Sequence, residues 1–406
     1  MMISKKIKKC RISNDTNLIL VSKFPKLALT GTFLRKGEKA IKTPMEIVFS
    51  KKSKLLQLNH NYNPNILYGK NYGYRSGLNP VMVKHLKEKS YYLEKIIELN
   101  EDSKILDIGS NDGTLLNFFK NGKKYGVDPT IIKYKKFYSK KINIIPKTFQ
   151  KSFLELKNIK FKLITSIAMF YDLEDPIDFL LKAKNILEIN GIIHIEVAYL
   201  PAIIKKFSYD TFCQEHYEYY SLTSLNYLVS KAGMKIVDIG FNDINGGSFW
   251  LNISHLNSKL KSQVKKINKF LILERKSNMH KISTYKSYFK NVFYHSKKIK
   301  KIITTLKKNK KKIYGYGAST KGNVLLQLSK LNNKDIEKIF DVNSFKFGKF
   351  TPISNIEIID EKKISKMKID YLLLLIWHFK SYVVKKIKKQ NSNIKIIVPF
   401  PKIRII

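Results

Sequence analysis

Between Tyr209 and Ser221 the sequence reads YDTFCQEHYEYYS, a concentration of titratable and aromatic side chains that no purely structural loop requires. An imidazole titrates near pH 6.5 when unperturbed, so His216 suits removal of a proton near neutral pH. Glu215 stands next to it. Adjacent residues do not share a helix face, but on a loop both reach one cavity, and Glu215 is expected to orient or charge the imidazole. His194, isolated in an apolar strand, reads instead as a core histidine with a satisfied ring.

A second constellation lies upstream. The stretch Ser103 to Phe119, SKILDIGSNDGTLLNFF, is an apolar strand ending at Asp107, a tight turn through Gly109, Ser110, Asn111, Asp112 and Gly113, and an apolar helix start. Glycines let backbone approach a ligand closely, and a helix start offers free amides. The next strand ends at Asp128, about twenty residues beyond the loop, where a carboxylate can accept both hydroxyls of a ribose. Because the loop reads DIGSNDG and not GxGxxG, it resembles the motif by which class I methyltransferases bind S-adenosylmethionine. The end of the fourth strand, Ala168 and Met169, is expected to close the same cofactor site.

A third glycine turn follows at Lys312 to Leu326, KIYGYGASTKGNVLL, with Asp341 closing the next strand. Alone it suggests a dinucleotide fold. Thr320 stands where the third glycine would be, however, and Lys321 and Asn323 bring a cation and an amide to the helix start, which suits a substrate phosphate. Tyr316 and Trp377, at neighbouring strand ends, are further substrate-binding candidates.

Taken together, Cys213-Gln214-Glu215-His216, Tyr219-Tyr220-Ser221, Tyr68-Gly69, Tyr72 to Gly77, Gly246-Gly247-Ser248, Gly315 to Asn323 and Val398 to Pro401 resemble the sugar C-methyltransferases that act on nucleotide-linked keto-deoxysugars. The resemblance spans nearly the whole chain. It implies methyl transfer from S-adenosylmethionine to a carbon of a nucleoside-diphosphate keto-deoxysugar through a base-generated enolate. His216 would be the base, and Tyr74 or Tyr219 would hydrogen-bond the enolate oxygen. Tyr72, Arg75, Ser76 and the Gly246-Gly247-Ser248 turn would join the substrate site. Two departures stand out. The family's N-terminal module carries C-x-x-C twice, whereas here the positions read Cys10-Arg-Ile-Ser13 and Ser50-Lys-Lys-Ser53. Serine does not replace thiolate on zinc, so a metal-free module held by packing alone is expected. Some relatives also place a histidine where this chain has Asp172, which makes Asp172 a rival acid or base.

These groups need rigid elements to carry them. Apolar strands at 104–108, 123–127, 163–168, 192–197 and 235–239 alternate with helical stretches, a parallel α/β reading. A basic helix-periodic stretch, 257–310, precedes a second alternation at 312–316, 336–340, 371–376 and 394–398. The expected organisation is an N-terminal module of vestigial zinc-binding type at 1–80, a Rossmann-like class I methyltransferase core at 81–255 and a Rossmann-like α/β domain at 256–406. The 406 residues suffice for two or three domains. A 44% hydrophobic content argues against disorder. Two cysteines exclude a disulfide framework and point to a reducing, cytoplasmic setting. No apolar run reaches a bilayer span and no secretory signal is expected.

The net charge of +46 invites a nucleic-acid reading. Lysine is spread along the chain among many Ile and Asn residues, however, and the densest clusters, 297–301 and 307–312, lack interleaved aromatics for base stacking. The charge is therefore read mainly as codon bias, with no nucleic acid or membrane as partner and a monomer or dimer as the unit. A nucleic-acid methyltransferase, a noncatalytic nucleotide-sugar binding protein and an oxidoreductase using the later glycine loop are the alternatives.

Overall fold

The computed structural model of the protein describes residues 3–68 and 73–406. Its central element is a seven-stranded sheet. The strands run in the order Ile142–Ile145, Lys123–Val127, Lys104–Ile108, Phe161–Ile167, Leu187–Ala198, Ser248–His255, Met234–Asn242. The first five are mutually parallel, and their interior positions, such as Ile105, Leu106, Ile164 and Ile193, are fully buried because helices cover both faces.

The sheet is not parallel throughout. Ser248–His255 pairs antiparallel with both its neighbours, and it was not among the strands expected from the sequence. Only Asp243 to Gly247 separate it from Met234–Asn242, and a connection that short can close a hairpin but not a parallel crossover. The edge strand Ile142–Ile145 was also unexpected, because its half-exposed residues carry little apolar pattern.

A second sheet, in the order Glu357–Asp360, Lys338–Asp341, Ile313–Tyr316, Tyr371–Leu374, Lys395–Val398, Arg404–Ile405, is parallel except for its last strand. Glu357–Asp360 and Arg404–Ile405 add to the expected strands. The basic stretch resolves into two helices, Val264–Lys276 and Ile282–Lys308. The longer one buries Tyr285, Tyr288, Phe289, Val292, His295, Ser296, Ile299 and Ile303 along one helical stripe, and leaves Lys297, Lys298 and Lys301 in solvent. That stripe shares one apolar core with the N-terminal module and the second sheet.

The N-terminal module contributes an antiparallel sheet of Leu18–Lys23, Glu46–Ser50 and Leu56–Leu58. Its fourth strand, Glu218–Tyr219, comes from the segment just after His216. A buried Arg11 to Glu218 ion pair at 3.5 Å fastens the same junction. Burial pushes the Glu218 carboxyl well up and the Arg11 guanidinium opposes it.

Cys10, Ser13, Ser50 and Ser53 converge although they come from two loops. Cys10 Sγ lies 3.3 Å from Ser53 Oγ, Ser13 Oγ lies 3.3 Å from Ser50 Oγ, and Ser50 Oγ donates to Asp15 at 3.3 Å. One thiol and three neutral hydroxyls do not fit zinc. The expectation of packing alone is corrected: a buried hydrogen-bonded knot joins the two loops, because buried hydroxyls need partners.

Candidate active site

One cavity of about 1230 Å³ lies between the two large sheets. In both sheets the first strand of the Rossmann-like unit, Lys104–Ile108 or Ile313–Tyr316, sits where strand order reverses, and the strand ends open onto this cavity. That is where open α/β sheets bind ligands. The volume exceeds the range of about 300 to 1,000 Å³ usual for one small ligand, which leaves room for two.

On the first wall, Gly109 turns at φ +82°, and a Cβ there would stand 2.9 Å from Met169 Cβ and Cγ. Asp107 follows the strand's buried run. Its Oδ1 accepts the Thr165 hydroxyl at 2.6 Å, and burial raises its pKa to about 7, assisted by the charge of Asp128. Asp128 accepts at Oδ1 from the Thr130 amide and hydroxyl, each at 2.6 Å, and at Oδ2 from the Asn111 amide at 3.0 Å. Burial raises its pKa despite these bonds. Ser110 meets the Tyr138 hydroxyl at 2.8 Å, and Ala168, at φ +56°, brings Met169 into the same wall. Two carboxylates with spare lone pairs, a glycine approach and an apolar strand end fit an amino-acid ammonium and a ribose. The residues present therefore fit S-adenosylmethionine.

Asp112 and Gly113 do not line the cavity, contrary to expectation. Asp112 turns away to accept from Gly77 N at 2.9 Å and Thr114 Oγ1 at 2.6 Å and to pair with Arg75 at 3.4 Å, while Gly113, at φ +74°, starts the following helix. Arg75 and Ser76 border the cavity but are tied to the cofactor loop. The Ser76 amide donates to Asn111 Oδ1 at 2.9 Å, and the Arg75 guanidinium stacks on Phe137 at 4.0 Å. Tyr72 lies outside the described residues.

His216 lines the same cavity. Its Nδ1 lies 2.9 Å from the Thr211 carbonyl, which can only accept, so the ring proton sits on Nδ1 and Nε2 keeps its lone pair. Burial lowers its pKa to about 4, Thr211 opposes this, and the Lys321 charge lowers it further. The imidazole is therefore neutral at physiological pH. Tyr171 packs edge-on against it, centroids 4.4 Å apart.

Glu215 does not orient His216. Its Oε2 accepts the Thr30 hydroxyl at 2.9 Å, and its Oε1 occupies the space a Cβ on Gly31 would need. Gln214 donates to Leu27 O, Ala28 O and Thr43 Oγ1, each at 3.3 Å, so the 27–31 segment is gripped through side chains rather than through helix geometry. Asn323 holds it from the other side, Nδ2 to Thr30 O at 2.6 Å, and is buried away from the cavity it was expected to line. Asp172 lines the cavity with its carboxyl pushed well up by burial, with the Tyr68 hydroxyl opposing and Glu215 reinforcing the shift. Tyr74 also borders it, 45% exposed.

Several expected ligands belong to the core. Tyr219 is 2% exposed and packs on Phe212, with centroids 4.2 Å apart, because its strand completes the N-terminal sheet. Trp377 donates from Nε1 to Asp210 at 2.8 Å and covers Gly246, where a Cβ would meet its ring at 3.3 Å. Gly246, Gly247 and Ser248 form the hairpin turn into the sheet's antiparallel strand and do not line the cavity. Tyr316 and Lys321 do line it, Tyr316 bonding Glu361 at 2.6 Å and Lys321 donating to Asn245 O at 2.6 Å.

Residues 84–239 match the methyltransferase domain family, and residues 243–401 match the C-methyltransferase C-terminal domain family. The chain is 26% identical to C-methyltransferase NovU of Streptomyces niveus over 415 aligned positions, covering 100% of this chain and 98% of that one. The protein is an S-adenosylmethionine-dependent C-methyltransferase enzyme. Its fold is the class I methyltransferase α/β fold, and S-adenosylmethionine is the cofactor. Among solved structures, the plantazolicin methyltransferase BpumL bound to SAH is 17% identical, covering 43% of this chain and 83% of that one at a TM-score of 0.35. A methyltransferase from Clostridium acetobutylicum is 15% identical, covering 43% and 92% at a TM-score of 0.32. Among the described residues of this methyltransferase no helix is long and apolar enough to cross a membrane, and no cluster of three or more His, Cys, Asp or Glu could hold a metal.

His378, Tyr171, Thr211 and Thr30 were not singled out in the sequence. His378 lines the cavity beside Lys321, whose charge, added to burial, lowers its pKa well below the ordinary value. Its place just past the parallel strand Tyr371–Leu374 was the available signal. Thr30 and Tyr171 carried none, since each meets its partner, Glu215 or His216, only through the fold.

Proposed function

We propose that this enzyme methylates a carbon next to a ketone in a nucleoside-diphosphate keto-deoxysugar. The observation that carries the reading is a single cavity, larger than one ligand needs, lined by the neutral His216 imidazole and by both glycine turns. A sugar carbon is not a nucleophile until it loses a proton, so a C-methyltransferase needs a base in its unprotonated form. His216, with Nδ1 tied to Thr211, presents Nε2 for that proton.

Asp107, Gly109, Ser110, Asn111, Asp128, Ala168 and Met169 would hold S-adenosylmethionine, the ribose at Asp128 and the methionine ammonium at Asp107. Bound there, S-adenosylmethionine supplies an electrophilic methyl group on a sulfonium. Met169 and Tyr171 exclude water between the cofactor wall and His216. The second turn, with Tyr316, Lys321 and the start of helix Thr320–Leu328, faces the nucleotide sugar, and Arg75 and Ser76 fix the loop that covers the cofactor. Asp172 and Tyr74 border the same space and can hydrogen-bond sugar hydroxyls.

Mass spectrometry of protein purified without added ligand tests this. An adenosyl compound together with a nucleoside-diphosphate sugar is the expected result, and incubation with S-adenosylmethionine should add the mass of one methylene to that sugar. A methylated nucleic acid or peptide in its place would replace the reading.

A further inference from the structure

Resting on that ketone-sugar reading, we propose that Lys321 is a catalytic residue: its ammonium binds the ketone oxygen and stabilises the enolate formed when His216 takes the adjacent proton. The sequence offered two tyrosines for this task. Tyr219 is sealed in the core with no face on the cavity. Lys321 lines the cavity on the first turn of helix Thr320–Leu328, and its charge acts on both His216 and His378. One of its three N–H groups goes to Asn245 O at 2.6 Å, and Lys321 takes part in none of the ion pairs among the described residues, so two donors face other partners. Burial lowers the Lys321 pKa, and Asp210, held by Trp377 and excluded from the cavity, opposes that shift.

Position favours the ketone over the diphosphate. The carbon that gives up its proton and the ketone oxygen are two bonds apart, so a cation that lines the same cavity as the base and acts on its charge can meet that oxygen, whereas the diphosphate leaves the ring from another carbon. The helix start is also partly spent as an anion site, since Ser319 Oγ already accepts the Gly322 amide at 3.0 Å. In the step, the C–H bond breaks, its proton passes to Nε2 of His216, and its electron pair moves onto the ketone oxygen, which accepts a hydrogen bond from Lys321. The enolate carbon then bonds the methyl as the methyl–sulfur bond breaks. The carbonyl re-forms, and His216 releases its proton to water.

The test compares wild type, Lys321→Met and Lys321→Arg in deuterium oxide with S-adenosylhomocysteine and a thymidine-diphosphate 4-keto-6-deoxyhexose. Mass spectrometry follows exchange of the carbon-bound hydrogen, and calorimetry follows thymidine diphosphate and S-adenosylhomocysteine affinity. Lys321→Met should slow exchange about 10² to 10³-fold, the usual cost of one oxyanion donor, with both affinities within about threefold of wild type. Lys321→Arg should recover part of the exchange. The assignment falls if Lys321→Met exchanges within about tenfold of wild type, or loses thymidine diphosphate affinity while exchange at saturation is unchanged, which would make Lys321 a phosphate anchor. Loss of S-adenosylhomocysteine affinity would also count against it, because a group confined to the enolate should leave the cofactor wall alone. A wild type that neither binds thymidine diphosphate nor exchanges hydrogen would defeat the nucleotide-sugar reading itself.

Discussion

Asp107→Asn should stabilise the ligand-free protein at alkaline pH while weakening cofactor binding. The Asp107 carboxyl is 4% exposed, and burial raises its pKa from 3.8 to about 7. Well below pH 3.8 both the folded and the unfolded chain hold it protonated, and it makes no difference to stability. As pH rises from 4 to 7 the unfolded chain ionises it freely while the folded chain resists, so native stability falls; above 7 the loss is constant. A shift of that size corresponds to on the order of 4 kcal/mol. Asparagine keeps an oxygen for the Thr165 hydroxyl, carries no charge, and offers a donor in place of an acceptor at a residue that lines the cavity. Melting curves of variant and wild type, taken ligand-free from pH 4 to pH 8, should diverge in favour of the variant as pH rises. Calorimetry at pH 8 should show S-adenosylhomocysteine affinity falling by about tenfold or more, as expected for a charged hydrogen bond worth about 1.5 to 3 kcal/mol. A variant that is less stable by the same amount at every pH would refute the desolvation argument.

His216→Asn keeps a hydrogen bond to Thr211 but cannot take a proton, so turnover should drop about 10² to 10⁴-fold with cofactor affinity retained; a drop under about tenfold would move the base to Asp172, Glu215 or a tyrosine. Because burial lowers the His216 pKa to about 4, the acid limb of kcat/KM should fall near pH 4, and a limb near 6.5 would show a solvated ring. In the N-terminal knot, Ser50→Ala removes the hydroxyl that meets Ser13, Asp15 and the Ser53 amide and should cost about 1 to 3 kcal/mol, whereas a chelator should leave the melting temperature of the native protein unchanged; one tightly held zinc per chain by elemental analysis would contradict this. Glu218→Ala leaves the buried Arg11 Nε without its carboxylate while Nη1 and Nη2 keep Leu58 O, His60 O and Asn61 Oδ1, and should cost about 1 to 3 kcal/mol; a melting temperature indistinguishable from wild type would show that those acceptors alone hold the guanidinium.

The strands Lys104–Ile108, Lys123–Val127 and Ile313–Tyr316 and the two glycine turns were legible from local pattern, because a buried parallel strand must be apolar throughout and a turn at positive φ selects glycine. Asp107, Gly109 and Asp128 were legible for the same reason: their places are set by chain distance from those turns. His216 was legible from its unusual neighbours. Their division of labour was not. Glu215 beside His216 suggested a pair, yet its carboxylate serves Thr30, whose nearness depends on the N-terminal segment docking between Gln214 and Asn323. Tyr219 and Trp377 looked like ligands because aromatics serve cores and sites alike, and only pairing with Leu56–Leu58 and bonding to Asp210 assign them to the core. Lys321 and His378 lie some hundred residues beyond His216 and more, and their approach to it requires two separate sheets to open onto one cavity. The sequence alone determined which backbone turns and charges exist, since those follow from residues near one another along the chain. Which of them face the same water-poor space, and therefore what their protons do, was decided only by tertiary packing, because burial and neighbouring charge come from elements the chain brings together last.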